Sequence, residues 1–367
     1  MKKLFLLMVA FAFAVVLGAC SESSSSAEKD SENADQDAVN EEENEEVNQE
    51  ASDEKDTLTI VWYPNESGAD LKDARDEIGK VIEDAAGKKV EHQTTTDYII
   101  AIESIANGNA DLAFMGAQGY IEAHDKNSNI LPLVVPSGAS GTLEDAVYYS
   151  WLSVKLGNEE EYKDGEDFSI DNIAGKKFSF VSNSSTSGFK VPSSGIIAHF
   201  SQMDEYNDLT EEDLLEGGVL FSEVLYGGSH QGSAVNLLTD KADVAAFCDS
   251  CVDNYIELAE GEVNRPGAVY EVKADAAEPF NTVPGEKFVA ISVTPVLNAP
   301  FVVNTDNIGE ATINALKEAF LSDDVAANEK IFVPEDSEVS GLFKKTADER
   351  FVDVDNAWFN PIRELSN

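Results

Sequence analysis

Val90-Glu91-His92-Gln93, then Thr94-Thr95-Thr96-Asp97-Tyr98, then an apolar run to Asn107, then Ala110-Asp111-Leu112-Ala113-Phe114 read as strand, polar loop, helix and buried strand. The same order returns in the second half of the chain. Val219 to Tyr226 reads as a strand, Gly227-Gly228-Ser229-His230 as the loop and Ser233 to Leu238 as the helix. Ala242-Asp243-Val244-Ala245-Ala246-Phe247 closes that unit as the next strand. Tyr98 stands 13 residues before Asp111, and His230 stands 13 before Asp243. Strand–helix–strand units of this length place neighbouring strands parallel, with helices packed over the sheet. In such sheets a ligand lies beyond the carboxyl ends of the strands, where the helices begin. Two similar halves facing one another would make a cleft with Tyr98 on one wall and His230 on the other. Ala-Asp followed by apolar residues is also a common way to begin a strand, so chance is the competing account of the match.

The alternation continues outward. Thr57 to Tyr63 is the first strand, broken by Pro64 through Gly68. Asp70 to Ala86 carries Leu71, Ala74, Ile78, Val81, Ile82 and Ala85 on one helical stripe and stops at Gly87. A helix around Tyr120 to Lys126 leads into a strand at Ile130 to Pro136, and Tyr148 to Leu156 is a further strand. The polar, acidic stretch Gly157 to Asp171 reads as a crossover. Beyond it come a strand at Lys177, a helix into Phe200, a strand at Lys287 to Val293, a return over Pro295 to Pro300 and a helix at Ile308 to Leu321. Trp358, Phe359 and Ile362 are expected to pack the C-terminus down. The fold class is α/β in two lobes, each a mixed, mostly parallel sheet flanked by helices, with the ligand in the inter-lobe cleft. Residues 57–165 and 295–367 are assigned to lobe 1 and residues 166–294 to lobe 2.

A third loop bears on the cleft. Asn183-Ser184-Ser185-Thr186-Ser187-Gly188 lies between the alternating run Lys177 to Val181 and the helical pattern of Phe189 to Phe200. Hydroxyl donors and free N–H groups at a helix start suit an anion. An ordinary N-cap explains the same residues locally. Pro192 is tolerated only near a helix start, so the helix must begin close to Gly188 or be broken there.

Composition sets limits. Of 367 residues, 43% are apolar, enough for one or two substantial cores. A formal charge of −45 argues against nucleic acid and against adsorption to anionic lipid. It also means that a bound anion must be held by local donors. Lys2 and Lys3 followed by Leu4 to Leu17 have the form of a signal segment, too short to span a bilayer comfortably. Leu17-Gly18-Ala19-Cys20 resembles the lipobox of bacterial lipoproteins. The resemblance implies cleavage after residue 19, lipidation of Cys20 and anchoring to the extracytoplasmic face of the cell membrane. Residues 21–56 hold 15 Asp or Glu, two Lys and no aromatic residue, and so read as a disordered acidic tether reaching about 120 Å at full extension. Cys248 and Cys251 form a lone CxxC, which fits a local disulfide or two spare thiols better than a redox centre or a zinc site.

Asp97-Tyr98, Asn183 to Phe189 with Val191-Pro192, and His230 before Ala242-Asp243-Val244-Ala245 together resemble the substrate-binding lipoproteins of phosphonate, phosphite and phosphate ABC transporters, over nearly the whole of Thr57 to Trp358. The resemblance implies a type II periplasmic-binding-protein fold that closes on its ligand. It also implies that Tyr98, Ser185, Thr186, Ser187 and His230 contact a small phosphorus oxoanion, which is then passed to a membrane permease. Tyr63, Asn65, Gln118, Ser229 and Asp249 are further candidates. Aminophosphonate binders of this family carry acidic residues for the ammonium group. The nearest positions here are Ser250, beside Asp249, and the turn Asn298-Ala299-Pro300, where the carboxylate is missing. Phosphate, phosphite or a small methyl-like phosphonate is therefore favoured. Asp249 could accept a hydrogen bond from a protonated phosphate oxygen. No cofactor, metal or nucleic acid is expected, and the chain is expected to be a monomer and not an enzyme. The alternatives are another oxoanion such as a sulfonate, or a secreted hydrolase using Ser187 and His230. The hydrolase lacks a Gly-x-Ser-x-Gly elbow. His92, His124 and His199 fall on segments that read as structural or exposed.

Overall fold

The computed structural model describes residues 55–337 and 339–365; the signal segment, Cys20 and the tether up to residue 54 lie outside them. The chain opens with β1 (Thr57–Trp62), α1 (Lys72–Ala86), β2 (Lys89–Thr94), α2 (Tyr98–Ala106), β3 (Leu112–Phe114), α3 (Ala117–Lys126) and β4 (Ile130–Pro136). It crosses to β5 (Val147–Lys155), the short strands β6 (Lys163–Asp164) and β7 (Asp167–Phe168), β8 (Lys177–Phe180), α4 (Val191–Phe200), β9 (Glu223–Tyr226), α5 (His230–Leu238) and β10 (Val244–Cys248). β11 (Ile256–Glu260), β12 (Val269–Val272) and β13 (Lys287–Leu297) follow. The chain then returns through β14 (Phe301–Asn304), α6 (Glu310–Phe320), α7 (Asp323–Ala326), β15 (Phe332–Pro334), β16 (Phe343–Lys345), β17 (Phe351–Asp353) and α8 (Asn360–Glu364).

Two large sheets result, one per lobe, beside the two-stranded pairs β15-β16 and β6-β7. The first runs β17-β4-β14-β3-β1-β2 and the second β11-β12-β13-β5-β10-β8-β9. β1 is parallel to β2 and β3, and β8 is parallel to β9 and β10. The other pairs of both sheets are antiparallel, so within these two sheets parallel pairing is confined to the strand–helix–strand units that could be read from the sequence; β15 and β16 pair in parallel outside them. In the two large sheets, helical crossovers make parallel neighbours, whereas the strands joined without them pair antiparallel.

One strand changes the expected path. β5 pairs with β10 on one side and β13 on the other, both in the second sheet. The crossover therefore precedes Val147 rather than lying at Gly157–Asp171. Residues 150–154 of β5 are all buried, as befits a strand needing partners on both edges and apolar cover on both faces. Gly157–Asp171 instead carries β6 and β7, and its Tyr162 packs into the second lobe beside Phe178 and Phe180. β13 also runs on through Pro295 to Leu297, so the return is made by Asn298–Pro300.

Apolar clusters cover both faces of each sheet. In the second lobe, Phe178, Phe180, Phe189 and Phe221 are at most 1% exposed. Each such burial contributes roughly 1.5–3 kcal/mol. Phe359 and Ile362 pack against α3 and β4 in the first lobe, as expected, with Trp358 partly buried beside them. Among the described residues, no helix is long and apolar enough to cross a membrane.

Candidate functional site

The ends of β1, β8 and β10 and the starts of α2 and α5 meet at a cleft of about 870 Å³ between the lobes. Tyr98 and His230 are each the first residue of a helix, preceded by the N-caps Asp97 and Ser229. They are 2% and 3% exposed and line the same cavity. The loop after β8 supplies Ser185, Thr186 and Ser187, which line it as well and are almost wholly buried.

That loop is an unusual helix start. Thr186–Lys190 forms a single π-helical turn, and α4 begins at Val191 with Pro192 in its first turn. The break foreseen from Pro192 thus takes the form of a wide turn. Ser185 is its N-cap, with Oγ accepting from the Gly188 N–H at 3.1 Å. The turn folds back on the end of β8, where the N–H of Val181, the residue after the strand, donates to the Gly188 carbonyl at 3.1 Å. A Cβ on Gly188 would lie 2.2 Å from the Val181 side chain, so only glycine permits this approach.

Hydrogen bonds fix which groups can donate. The Cys248 N–H donates to His230 Nδ1 at 3.0 Å, so the neutral ring carries its proton on Nε2. Nε2 faces Ser185 Oγ at 3.4 Å. Burial pushes the His230 pKa down to about 3, which keeps the ring neutral. Asn65 Nδ2 donates to Tyr98 Oη at 2.6 Å, leaving the phenol proton for another acceptor. Burial raises the pKa values of Tyr98 and Tyr148, so both stay protonated. Thr186 Oγ1 accepts from the backbone N–H of Gln118 at 2.9 Å, across the lobe boundary. Ser187 Oγ is buried and has no hydrogen-bond partner among the described residues. The cradle is thus made of neutral O–H and N–H groups.

Acidic groups occupy other parts of the cleft. Burial raises the Glu66 carboxyl to about 8 and that of Asp253 to about 7. Asp249, also raised by burial, accepts from the Tyr149 N–H at 2.9 Å, the Ser250 N–H at 2.7 Å and Asn264 Nδ2 at 3.0 Å. It lines the cavity while bracing the walls around it. Lys273 and Lys344 line it farther out, beside Asp253. Cys248 and Cys251 are joined in a disulfide, which resolves the choice between bond and spare thiols. Their sulfurs lie close to His230, but as a disulfide they offer no thiolate to a metal.

The remaining candidates separate. Tyr63 and Asn65 line the cavity. Asn65 is engaged with Tyr98 and His230, while the Tyr63 hydroxyl is turned against Gly119 of α3. Gln118 and Ser229 do not line it: the Gln118 side chain donates to Glu122, and Ser229 Oγ accepts from the Gly232 N–H. His92 accepts from Trp62 Nε1, His124 bonds the Ile130 carbonyl and Asn356, and His199 pairs with Asp171. Sequence reasoning missed Tyr148, beside Ser187 and Thr186, together with Glu66, Gln231 and Asp253. Gln231 had a signal in its position next to His230 at a helix start. Tyr148 read only as a strand residue, and the acids were lost in a generally acidic sequence.

A family model described as the periplasmic substrate-binding protein of phosphonate ABC transporters matches residues 60–359. The phosphate-import protein PhnD of Mycolicibacterium smegmatis is 28% identical over 322 residues, covering 84% of this chain and 85% of that protein. Among solved structures, a PhnD protein from Prochlorococcus marinus in complex with methylphosphonate is 16% identical with a TM-score of 0.58, over 84% of this chain and 97% of that one. A binding-protein component of an ABC phosphonate transporter from Pseudomonas aeruginosa is 18% identical with a TM-score of 0.58, over 84% and 85% of the two chains. These likenesses establish the two-lobed type II architecture for the sheets described above.

Proposed function

Because the chain belongs to the family of periplasmic substrate-binding proteins of phosphonate ABC transporters, we propose that its cleft captures a small phosphorus oxoanion for import. The ligand is phosphate, phosphite or a small phosphonate. The observation that carries this reading is the convergence of neutral donors from both lobes on one buried point: Tyr98 from the first, Ser185, Ser187 and His230 from the second. In this protein of formal charge −45, directed O–H and N–H groups and helix N-termini hold the anion where the overall field would repel it. Closure follows because only the closed form makes both sets of contacts, so the ligand shifts the population toward it.

The cradle performs no chemistry. With Nδ1 accepting from Cys248, the proton on Nε2 makes His230 a donor toward Ser185 rather than a base for it. After cleavage, lipidated Cys20 and the acidic tether hold a monomeric binding protein at the extracytoplasmic face of the membrane, where the closed form meets its permease.

Titration of the purified binding domain with phosphate, phosphite, methylphosphonate, 2-aminoethylphosphonate and sulfate tests the assignment. One phosphorus oxoanion should bind far more tightly than sulfate, and His230→Ala should weaken it strongly while the fold survives. Tighter binding of sulfate or a sulfonate would overturn the ligand class. Ester hydrolysis abolished by Ser187→Ala would overturn the transport reading.

A further inference from the structure

Asn65 touches three groups that matter to the cleft. It sits in the short turn Pro64–Glu66 after β1 and is 7% exposed. Its side chain reaches both walls at once. Oδ1 accepts from the His230 backbone N–H at 3.0 Å, and Nδ2 donates to Tyr98 Oη at 2.6 Å. The amide orientation is dictated by chemistry, because a backbone N–H can only donate and so requires the oxygen. Its own carbonyl accepts from Gln231 Nε2 at 3.1 Å, and Gln231 Nε2 also bonds the Cys251 carbonyl at 3.0 Å. Arg75 holds the turn from behind by donating to the carbonyls of Glu66 and Gly68.

We propose that Asn65 is the positioning residue that turns Tyr98 into a donor toward the bound anion and does so only when the lobes are closed. Tyr98 has one proton. With Asn65 Nδ2 occupying an acceptor position on its oxygen, that proton is directed into the cleft, on the side where Ser185 lies. Asn65 Oδ1 is in turn anchored by His230 of the other lobe. Opening the lobes releases that anchor and frees the amide to rotate, so the Tyr98 proton is directed at the anion only in the closed form. This inference rests on the oxoanion reading, and it assigns Asn65 an indirect role instead of ligand contact.

An aspartate at position 65 separates positioning from bulk. It preserves the shape and still accepts from the His230 N–H, but its second oxygen accepts from Tyr98 where the amide donated. The Tyr98 proton is drawn away and a negative charge is added beside the anion. With inorganic phosphate, phosphite and methylphosphonate as probes, Asn65→Asp should weaken binding on the order of 100-fold at neutral pH. At about pH 4, close to the ordinary aspartate value, where the carboxyl regains a proton and can donate, the ratio to wild type measured at the same pH should recover at least roughly tenfold. Asn65→Ala and Tyr98→Phe should each cost on the order of tenfold, and the double variant should cost little more than either alone. Unchanged affinity in Asn65→Ala, additive losses in the double variant, or an Asn65→Asp defect indifferent to pH would each overturn the proposal. A wild-type protein that binds none of phosphate, phosphite and methylphosphonate would instead overturn the phosphorus-oxoanion reading itself, and this inference with it.

Discussion

Gly116→Ala is expected to impair ligand binding without weakening the fold. Gly116 is the N-cap of α3 and has an ordinary φ of −62°, so alanine fits its backbone. It has no side chain with which to cap the helix, and Thr186 of the other lobe serves instead, its Oγ1 accepting from the Gln118 N–H at 2.9 Å. A Cβ on residue 116 would lie 2.7 Å from that same Oγ1. Closing the lobes would then force Thr186 away, losing one hydrogen bond of about 1 kcal/mol and adding overpacking of about 1–3 kcal/mol. At 1.4 kcal/mol per factor of ten, affinity should fall on the order of 30- to several-hundred-fold. The clash exists only when the lobes meet, so the ligand-free protein should melt within a degree or two of wild type. Calorimetric titration gives the first quantity and thermal melting without ligand the second. Affinity within twofold of wild type would refute the reasoning. So would a loss of ligand-free stability large enough to explain the binding defect.

Gly119→Ala should behave in the opposite way. Its Cβ would fall 1.6 Å from Tyr63 Oη inside the first lobe, so the fold itself should lose about 1–3 kcal/mol, read as a lower melting temperature without ligand. His230 provides a stability test at acid pH. Its folded pKa, lowered to about 3 by burial, lies below the unfolded value of about 6.5, so stability is full above the latter and is lost as pH falls toward the former. His230→Gln should flatten that part of a melting-temperature profile. Glu66 works in the other direction. Burial raises it to about 8, so the stability it contributes is full below about 4.3 and declines as pH rises through the folded value. Glu66→Gln should therefore gain on wild type between pH 5 and 8.5, and an equal slope in the two proteins would count against a buried carboxyl. Denaturation without reductant should leave Cys248 and Cys251 closed to alkylation, as their disulfide requires; labelling of both would contradict it.

The strand–helix–strand units, helix starts close to Tyr98 and His230 and the break near Pro192 were legible in the sequence, because each depends on periodicity, capping and proline within a few residues; only the structure carries the second helix back from Ser233 to His230. Ser185–Ser187 could be picked out for the same reason, as a local cluster of hydroxyls at a helix start. Which lobe β5 joins was decided only in three dimensions. Its apolar run is compatible with either sheet, and its partners β10 and β13 lie far along the chain. The roles inside the cleft also came from tertiary structure. Asn65 meets Tyr98 and His230 at separations of 33 and 165 residues, and Thr186 meets Gln118 at 68. A hydrogen-bond donor becomes useful only when its other partners are taken, and those partners come together only when the two lobes do.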